Sequence, residues 1–123
     1  MIMNEADWIL RMWRYLDSSK FHKLIIGYER RLWDGTRVDI LTDSYAIEVD
    51  WSHKWKESIG QAMWYASVTN KKPGICLLCK NINEESHHIY RCNTICVKYN
   101  IDLWIVDISA FVAIAPTGER VHI

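Results

Sequence analysis

Three acidic residues sit where apolar ones would be expected. Asp39 interrupts Val38-Asp39-Ile40, and Glu48 and Asp50 alternate with Ile47, Val49 and Trp51 in the run YAIEVDW. Residues two apart on a strand project from the same face, so Glu48 and Asp50 share one face while their apolar neighbours share the other. Carboxylates on an otherwise apolar strand are costly to bury unless a cation or hydrogen-bond donors meet them. All-oxygen donors of this kind suit magnesium or manganese, which keep waters and accept phosphate oxygens. The residues also fit a plainer role, as edge charges in water or as partners of Arg30 and Arg37.

Positioning these acids requires strands, and the sequence supplies them in order. Asn4 can cap a helix from about Glu5 to Asp17, with Trp8, Met12, Trp13 and Leu16 as its apolar stripe. Lys23 to Leu32 reads as a strand, followed by Trp33-Asp34-Gly35-Thr36, a hairpin turn in which Asp-Gly tolerates positive φ. Strands at Arg37 to Leu41 and Tyr45 to Trp51 follow, separated by Thr42-Asp43-Ser44. An antiparallel meander of these three places Asp39 beside Glu48. After Ser52 the period becomes helical, with Trp55, Ile59, Ala62, Met63 and Ala66 on one face and Asn70 with Pro73 as the stop. Ile75 to Cys79 is an all-apolar strand suited to the centre of a parallel sheet. Asn81 to Ser86 is a loop, Ser86 caps a helix to about Lys98, and Ile101 to Val106 is a further strand. A small hairpin about Pro116 to Glu119 closes the chain. The expected architecture is α/β, a mixed sheet flanked by helices with a right-handed parallel crossover.

The chain has 123 residues, half of them apolar and 24% charged, which argues for one domain and against disorder. Fifteen basic residues balance fifteen acidic ones, so bulk positive charge cannot be what holds a polyanion. No apolar run is long enough for a membrane span and no secretory leader opens the sequence, so a cytoplasmic setting and no membrane partner are expected. Cys76 and Cys79 lie three apart on a strand and point to opposite faces, and Cys92 and Cys96 lie four apart on a helix. Core packing is the main role this context offers them, with zinc ligation and a disulfide as alternatives.

The run Arg37 to Gln61, RVDILTDSYAIEVDWSHKWKESIGQ, resembles the core of the PD-(D/E)xK nuclease superfamily, the restriction-endonuclease-like fold. Asp39 matches the motif Asp and Glu48 the motif acid, and the helix, three strands, helix, strand order matches the family core (αβββαβαβ when complete). The resemblance implies a metal-dependent endonuclease hydrolysing phosphodiester bonds, with double-stranded or branched DNA as partner. It further implies Mg2+ or Mn2+ held by Asp39 and Glu48, with Asp50 or the Val49 carbonyl completing the shell. Asp50 stands where the family carries lysine. Some members move that lysine to the following helix, which would make Lys54 the replacement and Gln61, seven residues on, its companion on the same helical face together with Tyr65. Glu29 is a further ligand only if the hairpin register turns it inward. A helix acid contributes in some members, but nothing around Glu5 marks it. His53, Arg30 and Arg37 are placed to touch a nucleic-acid backbone, whereas His87 and His88, in a polar loop, read as surface residues.

Small members of this superfamily, among them Holliday-junction resolvases and phage or intron-encoded endonucleases, act as homodimers or higher oligomers. Trp33, Trp51, Trp64 and Trp104 fit such an interface, and the resemblance points to a phage or mobile-element origin. The alternatives are a catalytically silent binding module on the same fold, or an RNA-cleaving toxin built on that scaffold.

Overall fold

The computed structural model describes residues 3–18 and 25–123. Helix α1 spans Glu5–Ser18 and starts at a reciprocal cap. The Asp7 N–H donates to Asn4 Oδ1 at 2.9 Å and the Asn4 N–H donates to Asp7 Oδ2 at 2.9 Å, satisfying two donors that a helix start leaves open. Strands β1 (Ile25–Arg31), β2 (Arg37–Thr42) and β3 (Tyr45–Trp51) form the expected meander. Of the first strand's expected span, Lys23 and Leu24 lie outside the described residues. Gly35 takes φ 86° at the first turn, where a side chain would be strained.

A single 3₁₀ turn, Ser52–Lys54, leads into α2 (Trp55–Thr69), which Asn70 ends in the left-handed conformation. Then come β4 (Lys72–Cys79), α3 (Ser86–Lys98), β5 (Asp102–Asp107), β6 (Val112–Ile114) and β7 (Arg120–His122). The seven strands lie side by side in chain order, antiparallel from β1 to β3, parallel from β3 to β5, and antiparallel again to β7. The protein is therefore α/β with a mixed sheet. Helix α1 covers one face through Trp8, Met12 and Leu16 on Ile47, Val49 and Leu78. Helices α2 and α3 cover the other through Ala62, Cys92 and Cys96 on Ile75, Leu77 and Leu103. All four cysteines are buried free thiols in this core. Gly74 sits where β3, β4 and β5 crowd together: a Cβ there would stand 3.0 Å from Ile47 Cγ1 and 3.1 Å from Trp104 Cζ3. Among the described residues no helix is long and apolar enough to cross a membrane.

Four expectations need correction. Ser86 does not cap α3. Glu85 precedes the helix, and its carboxylate accepts the Asn81 N–H at 2.6 Å and the Ser52 hydroxyl, tying this loop to the 3₁₀ turn. His87 and His88 therefore lie in the first turn of α3, with ring centroids 3.9 Å apart, and not in the loop. Met63 is exposed, because the face of α2 that meets the sheet is Ser58, Ala62, Tyr65 and Ala66. Trp104 is 1% exposed, because its face of β5 lies in the core that α1 covers with Trp8, Met12 and Leu16, so it cannot serve a subunit surface.

Candidate active site

The acids converge where two strands part. Paired residues join β2 to β3 at Ile40↔Ile47 and Leu41↔Ala46, and the ladder goes no further. On its other side β3 stays paired with β4 through to Trp51↔Leu78. Asp39 occupies the gap thus opened, and its Oδ2 accepts the Val49 N–H at 2.8 Å, replacing a ladder bond with a side-chain one. In an extended strand the N–H and C=O of one residue point the same way, so the Val49 carbonyl also faces the gap.

Asp39 and Glu48 share a hydrogen bond. Burial pushes both carboxyls up, and Glu48 goes further because the Asp39 charge beside it adds to the desolvation. The buried Glu48 Oε2 finds no hydrogen-bond donor among the described residues, which is an expensive state for a carboxylate. A proton held between the two groups relieves that cost, leaving Glu48 neutral and Asp39 the charged member. Asp50, next but one along β3, is buried too; burial raises its carboxyl, while the Trp51 N–H donating to Oδ1 at 2.8 Å and the charges of Lys54 and His53 pull it back.

Glu5 joins this group from the first turn of α1. Its carboxyl is pushed up to about 7 by burial, then by the charges of Asp50 and Asp39, with Lys54 opposing. Only packing of α1 against the sheet brings it there, so no local sequence signal announces it. Glu29 lies opposite Asp39 in the β1–β2 register, between Tyr28↔Ile40 and Arg30↔Val38. It is exposed, takes φ 49°, and its charge raises both Asp39 and Glu5. A non-glycine residue in that left-handed region is strained, here at the edge of the acid cluster.

Lys54 ends the 3₁₀ turn at the cap of α2, while Gln61 and Tyr65, four residues apart, share one face of α2. Tyr65 is turned inward against Val38, Leu41 and Ala46. Burial raises its hydroxyl, and the charges of Glu48 and Asp39 add to that. Lys54 is exposed and has no carboxylate within salt-bridge distance among the described residues; its charge is felt by Asp50 and Glu5. Gln61 is exposed, and its side chain makes no hydrogen bond among the described residues. His53, Arg30 and Arg37 are exposed, the first beside Asp50 and the other two on the hairpin.

The chain is similar to part of a viral protein. That relative, from Acanthamoeba polyphaga mimivirus and named for a KilA-N domain, is 34% identical over 114 residues. The match takes in 85% of this chain and 31% of the relative, so the chain spans less than a third of that protein's length. No family model matches the sequence and no solved structure matches the fold.

The donor chemistry of the site is that of a hard cation. Every candidate ligand is a carboxylate or carbonyl oxygen, and Glu48 Oε2 is a buried acceptor without a donor among the described residues. Among the described residues no group of three or more acidic, His or Cys side chains stands close enough together to hold a metal ion. Magnesium does not require one, since it is usually bound through one or two carboxylates together with waters and substrate phosphates.

Proposed function

We propose that this chain is a metal-dependent nuclease of the restriction-endonuclease-like kind, hydrolysing phosphodiester bonds in DNA. The observation that carries the proposal is the Asp39–Glu48 pair in the gap between β2 and β3: a half-buried carboxylate anchored by the Val49 N–H beside a buried one with an oxygen that has no donor among the described residues. Asp39 and Glu48 would hold magnesium or manganese, with the Val49 carbonyl, waters and substrate phosphate oxygens completing the shell, and Asp50 and Glu5 adding negative charge around it. Bound there, the ion would supply activation of water and charge stabilisation at the phosphoryl group.

The chain's own residues do the rest. The Val49 N–H fixes the Asp39 carboxylate so that it need not reorganise. Lys54 supplies the positive charge that the family lysine carries, from the start of α2 and not from β3, and offsets the negative field of Asp50 and Glu5. Gln61, two turns on along α2, orients a phosphate oxygen or the attacking water. Arg30, Arg37 and His53 hold the backbone on either side. The mimivirus relative is named for KilA-N, a DNA-binding domain, which agrees with a DNA partner, and its viral source agrees with a mobile-element origin.

One observation favours a silent binding module on the same fold: Asp50 stands in the lysine position, and Lys54 is exposed without an ion-pair partner among the described residues. Magnesium titration followed by calorimetry separates the two readings. Wild type should bind the ion, and Asp39→Asn and Glu48→Gln should each weaken binding by about tenfold or more. Equal binding by all three proteins removes this pair from the site.

A further inference from the structure

We propose that the tip of the β1–β2 hairpin is a stacking arm for an unpaired nucleobase. The preferred substrate is then a nucleic acid with unstacked bases, single-stranded or branched, and not continuous duplex. This rests on the nuclease reading of the carboxylate site and names the substrate class of that same site.

Trp33 is 82% exposed, the most open of the large apolar side chains among the described residues. The turn presenting it is rigid. The Leu32 N–H donates to Thr36 O at 2.7 Å, the Gly35 N–H to Leu32 O at 3.0 Å, and Arg31 Nη1 to Gly35 O at 3.1 Å. Asp34 Oδ1 accepts both the N–H and the hydroxyl of Thr36, and Asp34 Oδ2 accepts the indole N–H of Trp64 at 3.0 Å, tying the tip to α2. The backbone that carries the ring is thus held in one arrangement before a base arrives, so ordering the turn adds little to the cost of binding.

The second observation is electrostatic. Arg31 and Arg37 are cross-strand partners, and like charges directly opposite one another destabilise a hairpin. Neither has a carboxylate within salt-bridge distance among the described residues, and the nearby Asp34 is engaged by Thr36 and Trp64. A phosphate backbone would relieve this repulsion. A second copy of the chain would not, because a two-fold contact through this patch sets the same arginines against each other. Asp39 follows Trp33 by six residues, roughly 20 Å of strand at most, so a base on the indole lies a few nucleotides from the carboxylates.

The ring face of Trp33 explains the preference for unpaired bases. A base inside a duplex is already stacked on both sides, whereas a free one offers its π-face to the indole. Binding is measured by fluorescence anisotropy in EDTA, so cleavage plays no part. The probes are a labelled single strand, a forked DNA and a duplex of the same sequence. Trp33→Ala should weaken single-strand and fork binding by about tenfold and leave the duplex nearly unchanged, and Trp33→Tyr should restore most of the loss. The double variant Arg31→Gln, Arg37→Gln should lower the slope of log affinity against log salt on the single strand by about 1.4. An equal effect of Trp33→Ala on all three probes, or none on any, overturns the stacking arm. So does a wild-type dimer in sedimentation that Trp33→Ala dissolves. Magnesium-dependent cleavage assayed in parallel keeps the outcomes distinct: a stacking failure with cleavage intact leaves the nuclease reading standing, and absence of both binding and cleavage removes both.

Discussion

Replacing Glu5 by Gln takes one negative charge out of a field that already contains Asp39, Asp50 and Glu29. Because the folded-state carboxyl is raised from 4.5 to about 7, ionising it costs the native state more than the unfolded chain. At about 1.4 kcal/mol for each tenfold change in acidity, the rise corresponds to roughly 3 kcal/mol. The side chain is half-exposed, and solvent screening reduces this to about 1.5 kcal/mol. Losing an acidic group from the first turn of α1 costs about 0.5 kcal/mol in the other direction, Asp7 remaining in place. The net expectation is a gain of about 1 kcal/mol at pH 8, or about 4 °C in Tm. The sign is set by pH: a raised carboxyl contributes stability that is fully present below pH 4.5 and lost as the pH climbs through about 7. Melts by circular dichroism at pH 4.5 and pH 8 should therefore show no electrostatic gain at the lower pH and the full gain at the higher. Equal Tm values at pH 8, or a gain independent of pH, would refute the placement of Glu5 in the acid cluster.

Asp39→Asn and Glu48→Gln should each keep or raise the Tm of the metal-free protein, since the first removes the charge that adds to the desolvation of Glu48 and the second replaces a carboxyl that must take up a proton to be buried; a drop of several degrees in a thermal melt would contradict this. Lys54→Ala should lower the cleavage rate by about 10²-fold or more, while Lys56→Ala, whose ammonium lies over the Trp55 ring, should not; single-turnover kinetics compare the two. Gly74→Ala should destabilise by about 1–3 kcal/mol in urea titrations, because its Cβ would enter the 3.0 Å space held by Ile47.

The strands were legible because each is a short alternating or apolar run bounded by turn residues: Tyr45–Trp51 coincides with its predicted span, and the Asp34–Gly35 turn lies where its chemistry demands. Asp39, Glu48 and Asp50 stood out for the same reason, as charges at positions the pattern reserves for apolar residues. The separation of β2 from β3 could not be read this way, since it depends on the Asp39 carboxylate taking the Val49 N–H that the ladder would otherwise use. Glu5 was hidden because it reaches the site only through the packing of α1 on the sheet. On α2, counting apolar residues favoured Met63, whereas the sheet accepted Tyr65 and left Met63 in water. Tyr65 packs its ring on Val38, Leu41 and Ala46, a contact that only the pairing of β2 with β3 creates. Trp33 and Trp104 show the same limit: one residue type is placed at a turn tip and the other on a doubly paired strand, and only the topology separates them.

The most direct measurement of the central claim is cleavage of duplex, branched and single-stranded DNA, and of RNA, by purified wild type with and without magnesium, beside Asp39→Asn and Glu48→Gln. Wild type should cleave DNA in a way that disappears in EDTA, returns with magnesium or manganese, and falls by about 10²–10⁴-fold in each variant. Cleavage that persists in EDTA, or that both variants retain at the wild-type rate, would contradict the claim.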